Sequence, residues 1–189
     1  MENKEKTNDV VRRAVAADAP FILKLLRENS VQNLKKEELK DGFVIYNPTL
    51  DELLKVIADT GVFVCFEKQV LKGYFMSMSR ELAETIPFEN ELLQNSADLK
   101  YDNKQIKNYK HAIYAQICIA KEYRGGQIFK KLHVAAEQSL VVQGYELGIA
   151  EIAEENIKSK SVHGFMPEIG TYESKSGIHW HIHVRDLRK

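Results

Sequence analysis

The chain of 189 residues is short of several things, and each shortage narrows its function. There are two cysteines, Cys65 and Cys118, and both sit inside apolar runs. They read as reduced core residues of an intracellular protein, not as a disulfide framework. No run of about 18 apolar residues occurs, so no segment is expected to span a membrane. The first ten residues, MENKEKTNDV, carry charge but no apolar stretch, so no signal peptide is expected and the cytoplasm is the expected compartment. Charge of neither sign is in excess: 27 Lys and Arg face 27 Asp and Glu. That balance argues against general binding to nucleic acid or to an anionic membrane. Neither common nucleotide loop is present, since the chain contains no GxxxxGK[ST] and no GxGxxG. Internal repeats and low-complexity tracts are missing as well.

The chain is nevertheless long enough to bury a sizeable core, and its length suits one domain spanning residues 1–189. Its most informative stretch is residues 114–140, YAQICIAKEYRGGQIFKKLHVAAEQSL. An apolar strand over 115–120 crosses a charged turn at 121–123. It then reaches Arg124-Gly125-Gly126 and runs into an amphipathic helix, with Ile128, Phe129, Leu132, Ala135, Ala136 and Leu140 on its apolar face. Free N–H groups and the dipole at a helix start favour an anion. Glycine lets backbone approach a bulky ligand. The same glycine pair also suits plain turn punctuation.

Around this stretch the chain reads as alternating strands and helices. Residues 1–8 are polar and expected to fray. A strand over 10–14 leads to a helix capped by Asp18, with Pro20 in its first turn and Phe21, Ile22, Leu25 and Leu26 facing the core. Residues 29–41 are charged, with room for one helical turn. Thr49 and Glu52 form a capping box for a second helix, with Leu50, Leu53, Leu54, Ile57 and Ala58 inward. Strands over 62–66 and 70–78 form a hairpin. Gly73 in the second strand marks a bulge or a close neighbour. Residues 80–111 form a polar excursion with one apolar patch at 86–93, either a solvated loop with a short helix or a lid over a substrate. After the central strand and helix come a strand over 147–153, a short helix over 157–163 and a hairpin over 165–173 and 178–187. The order predicts an α/β fold with a mixed sheet.

These pieces, in this order, resemble the GNAT superfamily of acyl-CoA-dependent N-acyltransferases. The resemblance covers nearly the whole chain. It rests on the glycine-bearing hairpin strand Val70-Leu71-Lys72-Gly73-Tyr74, the YRGG-x-F-KKL block, and LGIAEIA followed by Glu155-Asn156, Ser159 and His163. Gly164-Phe165, Ile169-Gly170-Thr171-Tyr172-Glu173 and a last strand with Trp180 complete it. It implies a largely antiparallel mixed sheet flanked by helices, with a splayed central strand pair, and 80–111 as an insertion or lid. It further implies acetyl-CoA as co-substrate and an amine as acceptor. The pyrophosphate would sit on the N–H groups of Arg124, Gly125, Gly126, Gln127, Ile128 and Phe129, with Arg124 a charge partner or loop anchor. Backbone groups of Ile117, Cys118 and Ile119 would pair with the pantetheine arm. Asn156 and Ser159 would add contacts, Asn156 serving equally well as a helix cap. Two departures stand out: Gln127 and Phe129 replace small residues of the family loop, and His163 lies unusually close to Gly164-Phe165.

For chemistry, the resemblance implies a backbone N–H at Ile119 or its neighbour for the oxyanion. His163 stands where a tyrosine often protonates the leaving thiolate, and Tyr172 is the second candidate. Alternation places Tyr114 and Gln116 together on the outward face of the central strand, where no carboxylate offers itself as a base. Glu81 and Glu84 are more distant candidates. A catalytically silent CoA-binding regulator of the same fold is the alternative function. His179, His181 and His183 share one strand face, but no carboxylate or cysteine cluster joins them and no metal is expected. Exposed C-terminal strands would suit a homodimer.

Overall fold

A computed structural model describes residues 9–189. The frayed segment expected over 1–8 lies outside the described residues. In chain order the elements are β1 (Val10–Arg13), α1 (Ala19–Asn29), α2 (Leu50–Ala58), β2 (Gly61–Glu67), β3 (Val70–Ser79), α3 (Arg80–Ala83), α4 (Pro87–Ser96), β4 (Lys100–Tyr101) and β5 (Lys104–Gln105). Then follow β6 (His111–Ile119), α5 (Ile128–Val142), β7 (Leu147–Ala153), α6 (Ile157–Val162), β8 (Glu168–Glu173) and β9 (His179–Asp186). Seven strands form one sheet in the order β1-β2-β3-β6-β7-β9-β8. Every neighbouring pair is antiparallel except β6 and β7. One face packs against α1, α2, α3 and α4, and the other against α5. Among the described residues no helix is long and apolar enough to cross a membrane.

Local chemistry explains most of these elements and corrects some expectations. The Thr49 hydroxyl accepts from the Glu52 amide, and the Glu52 carboxylate accepts from the Thr49 amide, so the capping box of α2 forms. Asp18 does not cap α1. Its carboxylate binds the Arg12 guanidinium and the Val15 amide instead, which holds its pKa below the usual carboxylate range. Phe21 is 46% exposed, edge-on to Phe66, while Ile22, Leu25 and Leu26 are buried. In α2, Leu50 and Ala58 face solvent and Val56 turns inward. Gly73 answers to both readings. A β-bulge lies beside it, and an added Cβ would stand 2.9 Å from the Cys118 carbonyl oxygen.

Residues 80–111 are more ordered than a loop. They contain α3, α4, the small β4–β5 hairpin and the first residue of β6. Ile86, Leu92, Leu93 and Ile106 are buried in the main core. Leu99 packs against Gly170, and the Tyr101 hydroxyl donates to Asp186. The central strand also starts four residues earlier than its apolar run suggests, because His111 is buried with Nδ1 against the Tyr109 carbonyl.

The feature that shapes the site is in β6. Against β3, Met76 pairs with Gln116 and Met78 with Ile113. One residue on β3, Ser77, therefore opposes Tyr114 and Ala115 on β6. Such a bulge bends its strand and breaks its alternation. Both effects follow. β6 pairs with β7 only from His111 to Ile113, whereas β7 pairs with β9 along its whole length. Tyr114 and Gln116 fall on opposite faces, contrary to simple alternation. The Tyr114 ring meets Phe75 on the α5 side at 4.9 Å, while Gln116 accepts from the Tyr74 hydroxyl on the other side.

The Tyr114 ring lies across Gly148 of β7, where an added Cβ would meet it at 2.2 Å. Gly148→Ala should cost roughly 1–3 kcal/mol as an overpacked core site. Adding Tyr114→Ala should recover part of that loss in a double-mutant cycle read by urea unfolding.

Candidate active site

The parting of β6 and β7 opens a cleft along the free edge of β6. The Ala120 amide donates to Lys72 on β3. Alternation then directs the amides of Ile119 and Ile117 to the opposite edge, toward the cleft. The backbone of Cys118 faces β3, where the residue pairs with Tyr74, so of the three residues expected to offer backbone groups only Ile117 and Ile119 do so. The Cys118 side chain is buried, and burial pushes its thiol up to about 12 against the lowering effects of Arg124 and the Tyr74 hydroxyl, which disfavours a nucleophilic role.

At the end of β6 the chain passes a single turn and reaches the glycine pair. Gly125 has φ +77°, the left-handed conformation that glycine adopts without strain. No atom lies within 4 Å of the place its Cβ would take, and the nearest to that of Gly126 is 3.8 Å away. The bend is therefore not plugged. No side chain caps α5 and no acidic residue stands in its first turn. The first amide to bond across the helix start is that of Lys131, to the Gln127 carbonyl. Among the described residues, no backbone acceptor outside the helix serves the amides of residues 125–130. Gln127 is exposed, clear of the bend. Phe129 turns its ring toward His133 and His163, at 4.5 and 5.2 Å. The two large residues thus leave the loop open.

Arg124 is a loop anchor. Nε donates to the Ile119 carbonyl, Nη1 to the Asp41 carbonyl and Nη2 to the Asn29 side chain. One side chain thereby ties the end of β6 to α1 and to the segment before Phe43. Asn156 does the same from the far wall: its Oδ1 accepts from the Ser159 amide, capping α6, and its Nδ2 donates to the Phe43 carbonyl. The resulting cleft, about 370 Å³, is lined by Ile117, Cys118, Ile119, Arg124, Gly125, Gly126, Phe129, Asn156, Lys158, Ser159 and His163. The structure so gathers most of the residues expected to touch a cofactor. Ile128 is buried at the helix start, and its side chain packs into the α5-side core.

His163 lines the cleft but is poorly placed to give up a proton. It is packed among Phe129, His133 and Phe165, and burial lowers its pKa to about 4. Nδ1 faces the Ser159 carbonyl at 2.9 Å, so that nitrogen carries the ring's hydrogen. Tyr172 is on β8, away from His163, and its hydroxyl donates to Glu151.

Glu151 is the residue that strand patterning hides. It interrupts the apolar run LGIAEIA of β7 and faces the gap, in a second hollow lined also by Tyr46, Phe88, Gln116 and Trp180. Burial raises its pKa to about 8, against the lowering effect of the Tyr172 hydrogen bond. Glu89, in the first turn of α4, is 1% exposed and its Oε1 has no hydrogen-bond partner. Burial, then Glu151, pushes its pKa well above the usual range. The one available sequence signal was the lone carboxylate in LGIAEIA, since the patch 86–93 holds both Glu89 and Glu91. Glu84 is instead spent on a surface pair with Arg80. The three histidines of β9 diverge in partners: His179 lies 3.7 Å from Glu173, His181 meets Glu168 and Lys160, and His183 meets the Met166 carbonyl. Among the described residues no group of three His, Cys, Asp or Glu converges to hold a metal.

No family model matches this sequence, and no curated protein matches it significantly. Solved structures do match. An N-acetyltransferase from Staphylococcus aureus Mu50 is 16% identical, with a TM-score of 0.62 over 95% of this chain and 99% of its own. A Drosophila melanogaster polyamine N-acetyltransferase is 12% identical, with a TM-score of 0.64 over 95% and 100%. The Salmonella typhimurium protein yncA, solved with its cofactor acetyl-CoA, is 14% identical, with a TM-score of 0.61 over 95% and 94%. The fold is that of the GNAT acetyltransferases, in agreement with the resemblance read from the sequence.

The buried state of His163 carries a pH signature. A folded pKa near 4 lies below the ordinary value of about 6.5, so its contribution to stability is complete above pH 6.5 and is lost as pH falls toward 4. Urea unfolding should show about 3 kcal/mol of loss over that window that is missing in His163→Gln. Parallel pH profiles for the two proteins would contradict the assignment.

Proposed function

We propose that this chain, which has the GNAT fold, is an N-acetyltransferase that moves the acetyl group of acetyl-CoA to a primary amine of a small molecule or protein. The observation that carries the reading is a conjunction. An edge of unpaired strand amides on β6 runs directly into a bend of unengaged amides at the start of α5. The first suits the two amides of a pantetheine arm, and the second suits a pyrophosphate. Ile119 is assigned to the arm, Ile117 to its thioester end, and residues 125–129 to the pyrophosphate. Arg124 and Asn156 act by holding the walls. Lys158, on the cleft wall, supplies positive charge.

Acetyl-CoA supplies an activated thioester. The amide of Ile117, nearer the bulge than that of Ile119, is assigned to its carbonyl oxygen as negative charge develops there. Glu151 is assigned the role of general base. The amine nitrogen gives its proton to the Glu151 carboxylate and attacks the carbonyl carbon. The new C–N bond forms, the C–S bond breaks, and the sulfur leaves with the electron pair and gains a proton from solvent or from a group at the cleft mouth. A base with a pKa near 8 is suited to neutral operation. The α3–α4 segment, with Phe88 on the wall, is proposed as part of the acceptor site and as an insertion within one domain.

A second reading, CoA binding without turnover, is favoured by one observation: the His163 hydrogen is held by the Ser159 carbonyl, so no acid is aimed at the sulfur. Thiol release from acetyl-CoA across an amine panel separates the two, since binding by calorimetry without release would select the second. In the first reading, kcat/KM should rise with pH toward a plateau above about 8, because the base form of Glu151 is the active one. Glu151→Gln should lower it about 10²- to 10⁴-fold with unchanged affinity for CoA. A variant retaining full activity would remove Glu151 from the role.

A further inference from the structure

An acyl group carried by coenzyme A ends where β6 and β7 come together, and one side chain walls that end. The ladder between the two strands stops at Ile113 and Ile149. Ile117, assigned to the thioester, is four residues farther along β6, so the gap closes within about 13 Å of it. The hollow there is small, about 90 Å³, and its two faces differ in chemistry. On the α1–α4 face it is lined by Tyr46, Gln116, Glu151 and Trp180, the side assigned to the amine and its base. On the α5 face it is lined by Phe75, Tyr114 and Ala150, all buried in the α5-side core. Because the amine attacks from the first face, an apolar tail has its room on the second. Tyr114 is held so that it cannot swing aside. Its ring meets Phe75 edge-on at 4.9 Å and His133 of α5 at 6.0 Å, and it lies directly on Gly148 of β7. It is 7% exposed, and its buried hydroxyl has no hydrogen-bond partner. Packing between strand and helix, not a polar contact, therefore fixes the ring.

We propose that Tyr114 sets the length of the acyl group: its ring, clamped between Gly148 and α5, closes the inner end of the gap, so that a two-carbon group fits and a tail of four or more carbons does not. The proposal rests on the acetyltransferase reading for the place of the thioester. It adds the residue that selects the donor. A fixed aromatic wall rejects extra methylenes because a packed interior does not yield by a bond length without strain. A tail turned to the other face would occupy the amine's place beside Glu151, so a longer donor bound that way is not turned over.

The test compares acetyl-, propionyl-, butyryl- and hexanoyl-CoA as donors to one amine in the wild type, Tyr114→Ala, Tyr114→Leu and Tyr114→Phe. In the wild type kcat/KM should fall about ten- to a hundredfold from acetyl to butyryl. Tyr114→Ala and Tyr114→Leu shorten the wall and should recover most of that fall. Tyr114→Phe keeps the wall and should retain the wild-type ratio. Ratios between donors on one protein do not depend on how much of it is folded, and Tyr114→Leu keeps an apolar side chain in place if Tyr114→Ala does not fold. A wild type that uses butyryl-CoA as well as acetyl-CoA, or shortened variants with the wild-type ratio, would overturn the proposal. Calorimetry with the unreactive thioethers S-ethyl-, S-butyl- and S-hexyl-CoA separates this outcome from failure of the acetyltransferase reading. Affinity that falls with tail length in the wild type but not in Tyr114→Leu would support the wall even if no amine were acetylated. Equal affinities in both proteins, or no binding by any thioether, would overturn it.

Discussion

One surplus residue in the central strand governs the rest of the molecule. Because Tyr114 and Ala115 together oppose Ser77, β6 can follow β3 or stay with β7, but not both beyond Ile113. It follows β3, and the ladder to β7 stops. In most sheets an open internal edge would leave amides buried without partners. Here the edge becomes the wall of a cleft, and the bend at the end of the same strand adds a second set of unengaged amides. Arg124 makes the arrangement rigid, since its three donors fix the strand end to α1 and to the chain at Asp41.

On the far side of the gap, desolvation takes over from hydrogen bonding as the deciding effect. Glu89 is buried and Glu151 half-buried, neither in an ion pair among the described residues, and His163 is held among aromatic rings. The same physical cause moves these groups in opposite directions, the acids up and the imidazole down, because burial disfavours whichever form is charged. At neutral pH Glu151 and His163 are largely uncharged. This makes Glu151 a proton acceptor poised near working pH and makes His163 a packing residue with an engaged hydrogen. The division of labour reverses the order of importance that residue type alone suggests, in which a histidine outranks a glutamate in a strand.

Much of the fold was legible because it depends on local pattern. The Thr49–Glu52 box, the glycine-bearing hairpin strand, the amphipathic run of α5 and the apolar run of β7 all form within a residue or two of where their periodicity places them. The order of the elements carried the family resemblance. What escaped depends on contacts between distant segments. Asp18 looks like a cap until Arg12 is brought beside it. The bulge is invisible in YAQICIA, because it exists only relative to β3, and with it went the faces of Tyr114 and Gln116. Residues 80–111 read as polar, yet Ile86, Leu92, Leu93 and Ile106 are enough to fold them onto the core. The glycine loop was readable as a place but not as a shape, since only tertiary structure turns Phe129 toward His163. Glu151 was hidden inside an apolar strand and Glu89 in an apolar patch, where a charged residue is easily passed over as an edge.

The central claim is that the open edge of β6 and the bend before α5 hold one continuous ligand, and amide hydrogen exchange with and without coenzyme A tests it most directly. The account predicts that added coenzyme A slows exchange at Ile117, Ile119 and the amides of residues 125–129, with little change on the β3-facing amides of the same strand. Unchanged exchange along this path, or protection confined to another surface, would contradict it.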